Sequence, residues 1–256
     1  MMANIFSLAS VTFRESIRNR TILAILLLGA AFAASALLLA ALALDQRIRV
    51  ITDWGLFCLS VFGVGMAILL GVNLVQKEVG RKTLYVVLSR PLSRWQYVVG
   101  KFLGMLAVLL VVMLVLTCTL IVMLLLEGRA PGSLLVKAMV LSGAEIVLVA
   151  ALALFFSSFS SPYLSGLFTL GTFVVGRSLP ELEKLIDRLQ LPPLHALLKG
   201  LFFLLPDFAD FQRAPRVVND IPIPWQELAS ALTYGAGYCL ILVLLSCWVF
   251  SKRELV

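Results

Sequence analysis

Charged residues are scarce in this chain. Asp, Glu, Lys and Arg make up 14% of its 256 residues, and 61% of the residues are hydrophobic, whereas soluble domains are about a quarter charged. This composition excludes an ordinary soluble domain and predicts a membrane protein. Because a membrane-spanning helix needs about 20 residues, the chain has room for roughly six spans. No stretch remains that could fold alone, so we expect one transmembrane domain over residues 1–256, with any energy source on another chain.

Cysteine and histidine are also few. The four cysteines lie inside apolar runs without a CxxC spacing, and His195 is the single histidine. This pattern supports neither a disulfide framework nor a zinc site. We therefore expect buried thiols, a surface or interfacial role for His195, and no metal on this chain.

Motifs for catalysis and nucleotide binding are missing as well. Gly100-Lys101 lacks the earlier glycine and the following Ser or Thr of a P-loop. The serines of residues 157–161 have no accompanying base, so they predict a turn rather than a nucleophile. No catalytic residue is predicted. A membrane-embedded enzyme is an alternative class, which activity from the purified chain alone would support.

Long apolar runs are what the sequence does contain, and they predict an all-α polytopic fold with about six transmembrane helices. The runs cover residues 21–44, 54–75, 102–126, 134–156, 163–175 and 228–250. The fifth run has only 13 residues, or roughly 20 Å as a helix. It would cross the bilayer only with help from the neighbouring serine segment, or at a thin place lined by protein.

Two segments outside the spans are predicted to be helical. In residues 1–20 an apolar position recurs every four residues from Ile5 to Ile17, which suits an amphipathic helix in the membrane interface; an ordinary basic flank is the equal alternative. The longest polar region is residues 176–227. Within it, the mostly apolar segment 194–205 is too short to cross and is predicted to be re-entrant or interfacial.

The basic residues predict an orientation. The short segments on one side carry 11 Lys and Arg, and those on the other side carry four. The basic side consists of residues 1–20, 76–101, 157–162 and 251–256, and the other short segments are 45–53 and 127–137. By the positive-inside rule the basic side is cytoplasmic, so both termini are expected inside the bacterial cytoplasmic membrane. The net charge of +7 is thus a topology signal and does not indicate nucleic-acid binding.

Residues 76–101 form the longest polar connection on the predicted cytoplasmic side. They carry six Lys and Arg against one acid, Glu78, so the segment must lie in water or contact a partner. Residues 77–88 predict a short helix, which Pro91 ends. Ser93 and Gln96 then form a capping box, so a second helix is predicted to start near Ser93 and to run into the third span. The short helix would act as a lever on that span.

Two further features lie in or beside the predicted spans. Gly100 and Gly104 form a GxxxG motif near the start of the third span, which permits close helix approach. Glu145 is the one ionisable residue deep in a span, where a charge costs about 3 kcal/mol. Glu145 is therefore either a substrate or proton site or a hydrogen-bonding residue that joins helices. The sequence leaves these two alternatives open.

The 76–101 segment resembles the first cytoplasmic loop of type-2 ABC transporter permeases. The similarity rests on EVGRKT at 78–83, LSRPLSR at 88–94 and GK at 100–101. The predicted interfacial start, six spans, short fifth span and outer helical segment extend it along the chain. Arg81-Lys82 separates Gly80 from Thr83, which departs from the family pattern. LPDF at 205–208 and FSKRE at 250–254 also resemble permeases of the nitrous oxide reductase maturation type.

The resemblance implies a homodimer or pseudo-dimer of six-span subunits that rests on a separate cytoplasmic ATPase. ATP and Mg would bind that partner, and this chain would carry no cofactor. The resemblance places coupling to the ATPase at Lys77, Glu78, Gly80, Arg81, Thr83, Leu84, Ser89, Arg90, Pro91 and Arg94. Because the spans hold almost no charge, a lipid-like or amphipathic export substrate is expected. An alternative is an assembly or signalling platform in which the ATPase drives action on an extracytoplasmic partner protein.

Overall fold

The computed structural model describes residues 2–43, 46–80, 93–188, 200, 205–212 and 214–252. These residues form helices and turns, and none of them forms a strand. Five helices are long and apolar enough to cross a membrane. The all-α polytopic fold class predicted from composition is therefore confirmed.

The chain begins with helix α1, Met2–Ile17, followed by two helices that together make the first span. Helix α2, Arg20–Ala34, starts where the Asn19 side chain accepts a hydrogen bond from the Thr21 amide. Helix α3 covers Ala36–Leu42. The break falls at Ser35, whose hydroxyl donates to the Phe32 carbonyl over 2.6 Å and so competes with the helical hydrogen-bond pattern. The first predicted span is thus two helices rather than one.

Helix α4, Arg47–Gly80, contains the second predicted span and extends beyond both of its ends. Its last turn includes residues 77–80, so the start of the predicted short helix is continuous with the second span. Residues 81–92 lie outside the described part of the chain. Helix α5, Arg94–Leu126, begins directly after Ser93, whose amide donates to Gln96 Oε1 over 3.2 Å. The predicted start of this helix is confirmed.

The remaining described elements are α6 (Ser133–Ser157), α7 (Pro162–Arg177), α8 (Leu179–Arg188), a 3₁₀ turn (Ala209–Phe211), α9 (Ala214–Val218) and α10 (Trp225–Lys252). Helix α7 has 16 residues, or about 24 Å, which is less than the roughly 30 Å hydrocarbon core. The fifth predicted span therefore exists as a helix, but it is shorter than a full crossing.

Helices α4 and α6 pack against each other at the centre of the bundle. A Cβ atom added at Gly63 would meet the Ile146 side chain, and one added at Gly71 would meet Ala153. Since both contacts advance in the same direction along the two helices, α4 and α6 run parallel. Small residues thus permit close helix approach in the core, as is common inside membranes.

The GxxxG motif of α5 is the surface on which α1 packs. A Cβ atom at Gly100 would lie 2.9 Å from the Leu8 side chain, and one at Gly104 would lie 2.6 Å from Thr12 Cβ. Ile5 is buried in this contact, whereas Phe6 is 78% exposed. The close approach predicted from the two glycines is confirmed, and the amphipathic N-terminal helix has its buried face against α5.

The bundle has two ends, which we name after the arginines that lie there. At the Arg94 end, Arg94 Nη1 donates to the Ser251 carbonyl over 2.7 Å, and Tyr97 stacks on Phe250 with ring centroids 5.5 Å apart. These contacts tie α5 to α10. At the Arg129 end, the Arg129 side chain pairs with Asp220 at 3.1 Å.

Candidate functional site

Glu145 lies near the middle of α6, and its side chain is 2% exposed. Ser60 of α4 donates a hydrogen bond to Glu145 Oε2 over 3.0 Å. Arg177, the last residue of α7, places Nη1 3.5 Å from Glu145 Oε1. A single carboxylate therefore connects three helices through one hydrogen bond and one ion pair.

Arg177 makes several contacts because α7 ends inside the bundle. Its Nη1 also donates to Ser60 Oγ over 3.0 Å, and its Nε donates to Gln212 Oε1 over 3.3 Å. The guanidinium lies 5.5 Å from the centre of the Phe173 ring. We call Ser60, Glu145, Arg177 and Gln212 the Glu145 cluster.

Arg177 was not predicted as a partner of Glu145. The residue follows the last apolar position of the fifth run and therefore fell in the predicted outer polar region. The sequence feature that could have predicted this contact was the length of the fifth run. A helix of about 24 Å that starts at one membrane surface ends below the other, so its terminal arginine lies at the depth of a buried acid.

The return segment, which we define as residues 206–212, leads the chain back against the end of α7. The Phe208 amide donates to the Gly176 carbonyl over 3.1 Å, and the fully buried Phe208 ring packs edge-on against Phe173. A Cβ atom at Gly176 would collide with the Pro206 carbonyl, so only glycine permits this approach. The predicted re-entrant or interfacial segment 194–205 lies almost entirely outside the described residues and stays a prediction.

A cavity of about 330 Å³ lies beside the cluster. Helices α4 and α6 line it together with the end of α7, the 3₁₀ turn and α9. The lining extends from Glu145 to Asp53, Ala214 and Pro215, which lie toward the Arg129 end. We call it the Glu145 cavity. Among the described residues, Asp53 and Glu145 supply two carboxylates to its lining and Arg177 supplies one guanidinium.

A second cavity, of about 250 Å³, lies near the Arg94 end. Glu15, Ser16, Asn19 and Asn73 line it together with Lys101. Lys101 is 2% exposed, and its Nζ lies 5.8 Å from the centre of the Tyr97 ring. This polar pocket lies between α1 and the spans, next to the predicted coupling segment.

The structure places only some of the predicted coupling residues. Lys77, Glu78 and Gly80 belong to the last turn of α4, and Arg94 is the first residue of α5. The other predicted residues lie outside the described part of the chain; they are Arg81, Thr83, Leu84, Ser89, Arg90 and Pro91. A common coupling surface therefore stays a prediction. His195 also lies outside the described residues, and within the described ranges no group of three His, Cys, Asp or Glu could hold a metal.

Comparison with curated proteins gives no match. The family model described as ABC-2 family transporter protein matches residues 6–255. This match covers most of the first helix, the five long apolar helices of the described residues and the Glu145 cluster. It identifies the family as a whole and does not distinguish the nitrous oxide reductase maturation type. The bundle described above is thus a permease architecture, and the chain belongs to the ABC-2 transporter family.

Proposed function

We propose that this chain is the membrane-spanning subunit of an ATP-driven exporter. Two copies would rest on separate cytoplasmic ABC ATPase subunits, which bind and hydrolyse ATP with Mg. The observation that carries this proposal is the family match over residues 6–255. The Arg94 end would face the cytoplasm of a bacterial cell, with both termini inside, because the short segments at that end carry most of the basic residues.

Coupling would pass through residues 76–101. The two helices that flank this segment, α4 and α5, continue into the bundle without a break. Helix α5 is bonded to α10 through Arg94 and packed on α1 through Gly100 and Gly104. A force applied between α4 and α5 would therefore move α1, α5 and α10 together, as a rigid group.

The Glu145 cluster would carry this movement toward the opposite end of the bundle. It joins α4 and α6 to the end of α7, and Gln212 extends the connection into the return segment. A displacement of α4 would thus act on the return segment through the side-chain hydrogen bonds of Ser60, Arg177 and Gln212. The cargo would be lipid-like or amphipathic, since the spans are strongly apolar and hold almost no charge.

The substitution Glu78→Arg tests this coupling. It reverses the charge of the one acid in residues 76–101, so we expect the ATPase to stay bound while its nucleotide state no longer moves the spans. The readout is the distance between spin labels on Cys118 of the two copies, with the other three cysteines changed to alanine. Cys118 is exposed on α5. The distance should change between the nucleotide-free and the ATP–vanadate states in the parent protein and stay constant in the variant.

Glu183→Arg provides the matched control, because Glu183 is an exposed acid on α8. It should keep the full nucleotide-dependent distance change. If Glu78→Arg also kept the full change with the ATPase bound, force transmission through this segment would be wrong.

A further inference from the structure

The Glu145 cavity contains a buried hydrogen-bond acceptor. Glu145 Oε2 accepts a hydrogen bond from Ser60, whereas within the described part of the chain Oε1 accepts none. The nearest cationic atom, Arg177 Nη1, lies 3.5 Å from Oε1. The hydrogen bonds of Arg177 run instead from Nη1 to Ser60 and from Nε to Gln212. Buried carboxylate oxygens are costly without a hydrogen bond. The Glu145 side chain lines the cavity, so a donor bound there lies beside this carboxylate.

The charges around the cavity favour a cationic donor. Its described lining holds the carboxylates of Asp53 and Glu145 against the single guanidinium of Arg177, a formal excess of one negative charge. An anionic ligand would meet two carboxylates, and two of the five N–H donors of Arg177 are already directed to Ser60 and Gln212. A cation would neutralise the excess and could donate to Glu145 Oε1.

The cavity lining also includes aromatic and apolar side chains. Trp54 and Phe57 line it with ring centroids 5.6 Å apart, together with Leu56 and Phe211. Aromatic faces attract ammonium groups and also pack against alkyl chains. A volume of about 330 Å³ falls at the small end of the range for small-molecule sites. Such a lining suits a ligand that carries both a positive head and a short apolar part.

We propose that the Glu145 cavity binds a primary ammonium group attached to an alkyl chain, with the ammonium donating to Glu145 Oε1 and the chain packed on Trp54 and Phe57. A primary ammonium fits better than a quaternary one, because only the primary group has hydrogen atoms to donate. The chemistry is shared by free alkylamines and by the ethanolamine headgroup of phospholipids. That this ligand class is the exported cargo rests on the proposed function; the binding itself does not.

The test is a titration of the full-length permease in phosphatidylcholine nanodiscs, without the ATPase. Trp54 is kept as the single tryptophan by changing Trp95, Trp225 and Trp248 to phenylalanine, so its fluorescence reports on the cavity. We expect saturable binding of hexylammonium, with a Kd at least about ten-fold below those of hexanol and hexanoate and below that of hexyltrimethylammonium. Failure to saturate, or equal affinity for hexanoate, would overturn the proposal.

Variants locate the binding. Glu145→Gln keeps the shape of the side chain and removes its charge, so it should weaken hexylammonium binding by about ten-fold or more. Glu227→Gln is the control, because Glu227 pairs with Arg216 at 2.6 Å and lies outside the cavity lining. It should leave the Kd unchanged. Asp53→Asn, at the rim, supplies a second test if Glu145→Gln does not fold, and it should raise the Kd by about three-fold. An unchanged Kd in the folded cavity variants would refute the site.

Two further arms separate the sources of the ligand and the two proposals. If the ethanolamine headgroup is the natural occupant, nanodiscs containing phosphatidylethanolamine should raise the apparent Kd for hexylammonium; if a free amine is the occupant, they should not. The titration contains neither ATPase nor nucleotide. Hexylammonium can therefore bind even if the Glu78→Arg experiment shows that residues 76–101 do not transmit force. Conversely, a failure of hexylammonium to bind would not change the result of the Cys118 distance measurement.

Discussion

At the scale of single residues, the Glu145 cluster is held by one carboxylate and one guanidinium in the interior of the bundle. Glu145 is 2% exposed and Arg177 is 24% exposed. When one partner of such a pair is removed, the other is left as a charge without compensation, and this costs more than the pair itself contributes. The two residues should therefore behave as a unit.

Arg177→Met should destabilise the protein by about 2–3 kcal/mol, less than for a fully buried pair because Arg177 is partly exposed. Adding Glu145→Gln to this variant should restore much of the loss, since it removes the uncompensated charge. A double-mutant cycle in detergent, with unfolding measured by circular dichroism, gives the coupling free energy.

The pair of Arg216 and Glu227 is the control for this cycle. Its atoms are 2.6 Å apart, closer than those of the interior pair, but both side chains are at least a third exposed. Arg216→Met should therefore cost about 0–1 kcal/mol. Equal costs for the two arginine substitutions would show that the interior position of the Glu145 cluster has no energetic consequence.

The sequence predicted Glu145 as a special residue but could not name its partner. A lone acid in an apolar run requires a polar neighbour, and that requirement follows from the cost of burying charge. Which residue meets it depends on the depth at which α7 ends, and this depth is set by how the return segment packs on Gly176. Ser60 was not predicted as a partner either, because a serine in an apolar run has no distinctive sequence signal.

At the scale of elements, the sequence predicted best where local chemistry decides the structure. The start of α5 follows from the hydrogen bond between Ser93 and Gln96, which are three residues apart. The break at Ser35 was not predicted, because serine is tolerated inside many membrane helices and its hydroxyl can bond to the same helix without breaking it. The continuity of the second span with residues 77–80 was missed, because Gln76, Lys77 and Glu78 are polar yet keep helical geometry beyond the apolar run.

Gly104→Val should detach α1 from α5. The new side chain would meet Thr12 Cβ and the Ala9 carbonyl, which lie 2.6 and 2.9 Å from the position of its Cβ. Overpacking of this kind costs about 1–3 kcal/mol. We expect a lower melting temperature and faster tryptic cleavage at Arg14 and Arg18, which belong to α1 and to the turn that follows it.

The same substitution at Gly171 separates packing from the loss of a glycine. Gly171 lies in α7, and no atom lies within 4 Å of the position of an added Cβ. Gly171→Val should leave both the melting temperature and the cleavage rate close to those of the parent protein. Equal cleavage in the two variants would mean that α1 does not depend on the GxxxG surface.

At the scale of the whole molecule, composition determined the fold class and charge determined the expected orientation. A chain with 61% hydrophobic and 14% charged residues lies outside the usual composition of soluble domains. The number of complete crossings was harder to predict, because α7 is a helix of the right composition but of insufficient length. Hydropathy measures whether a segment is apolar enough to enter the membrane. It does not show how far the segment crosses, because that depends on how neighbouring segments pack against it.

Orientation can be tested with single cysteines at the two ends of the bundle. In a background with all four native cysteines changed to alanine, Arg90→Cys reports on the basic loop and Ala130→Cys reports on the Arg129 end, where Ala130 is exposed. A membrane-impermeant maleimide should label Ala130→Cys in intact cells and Arg90→Cys only after lysis, because the basic segments are retained on the cytoplasmic side. Labelling of Arg90→Cys from outside would place the coupling segment away from any cytoplasmic ATPase. A cytoplasmic ATPase could then not apply force to α4 and α5, and the proposed coupling would be wrong.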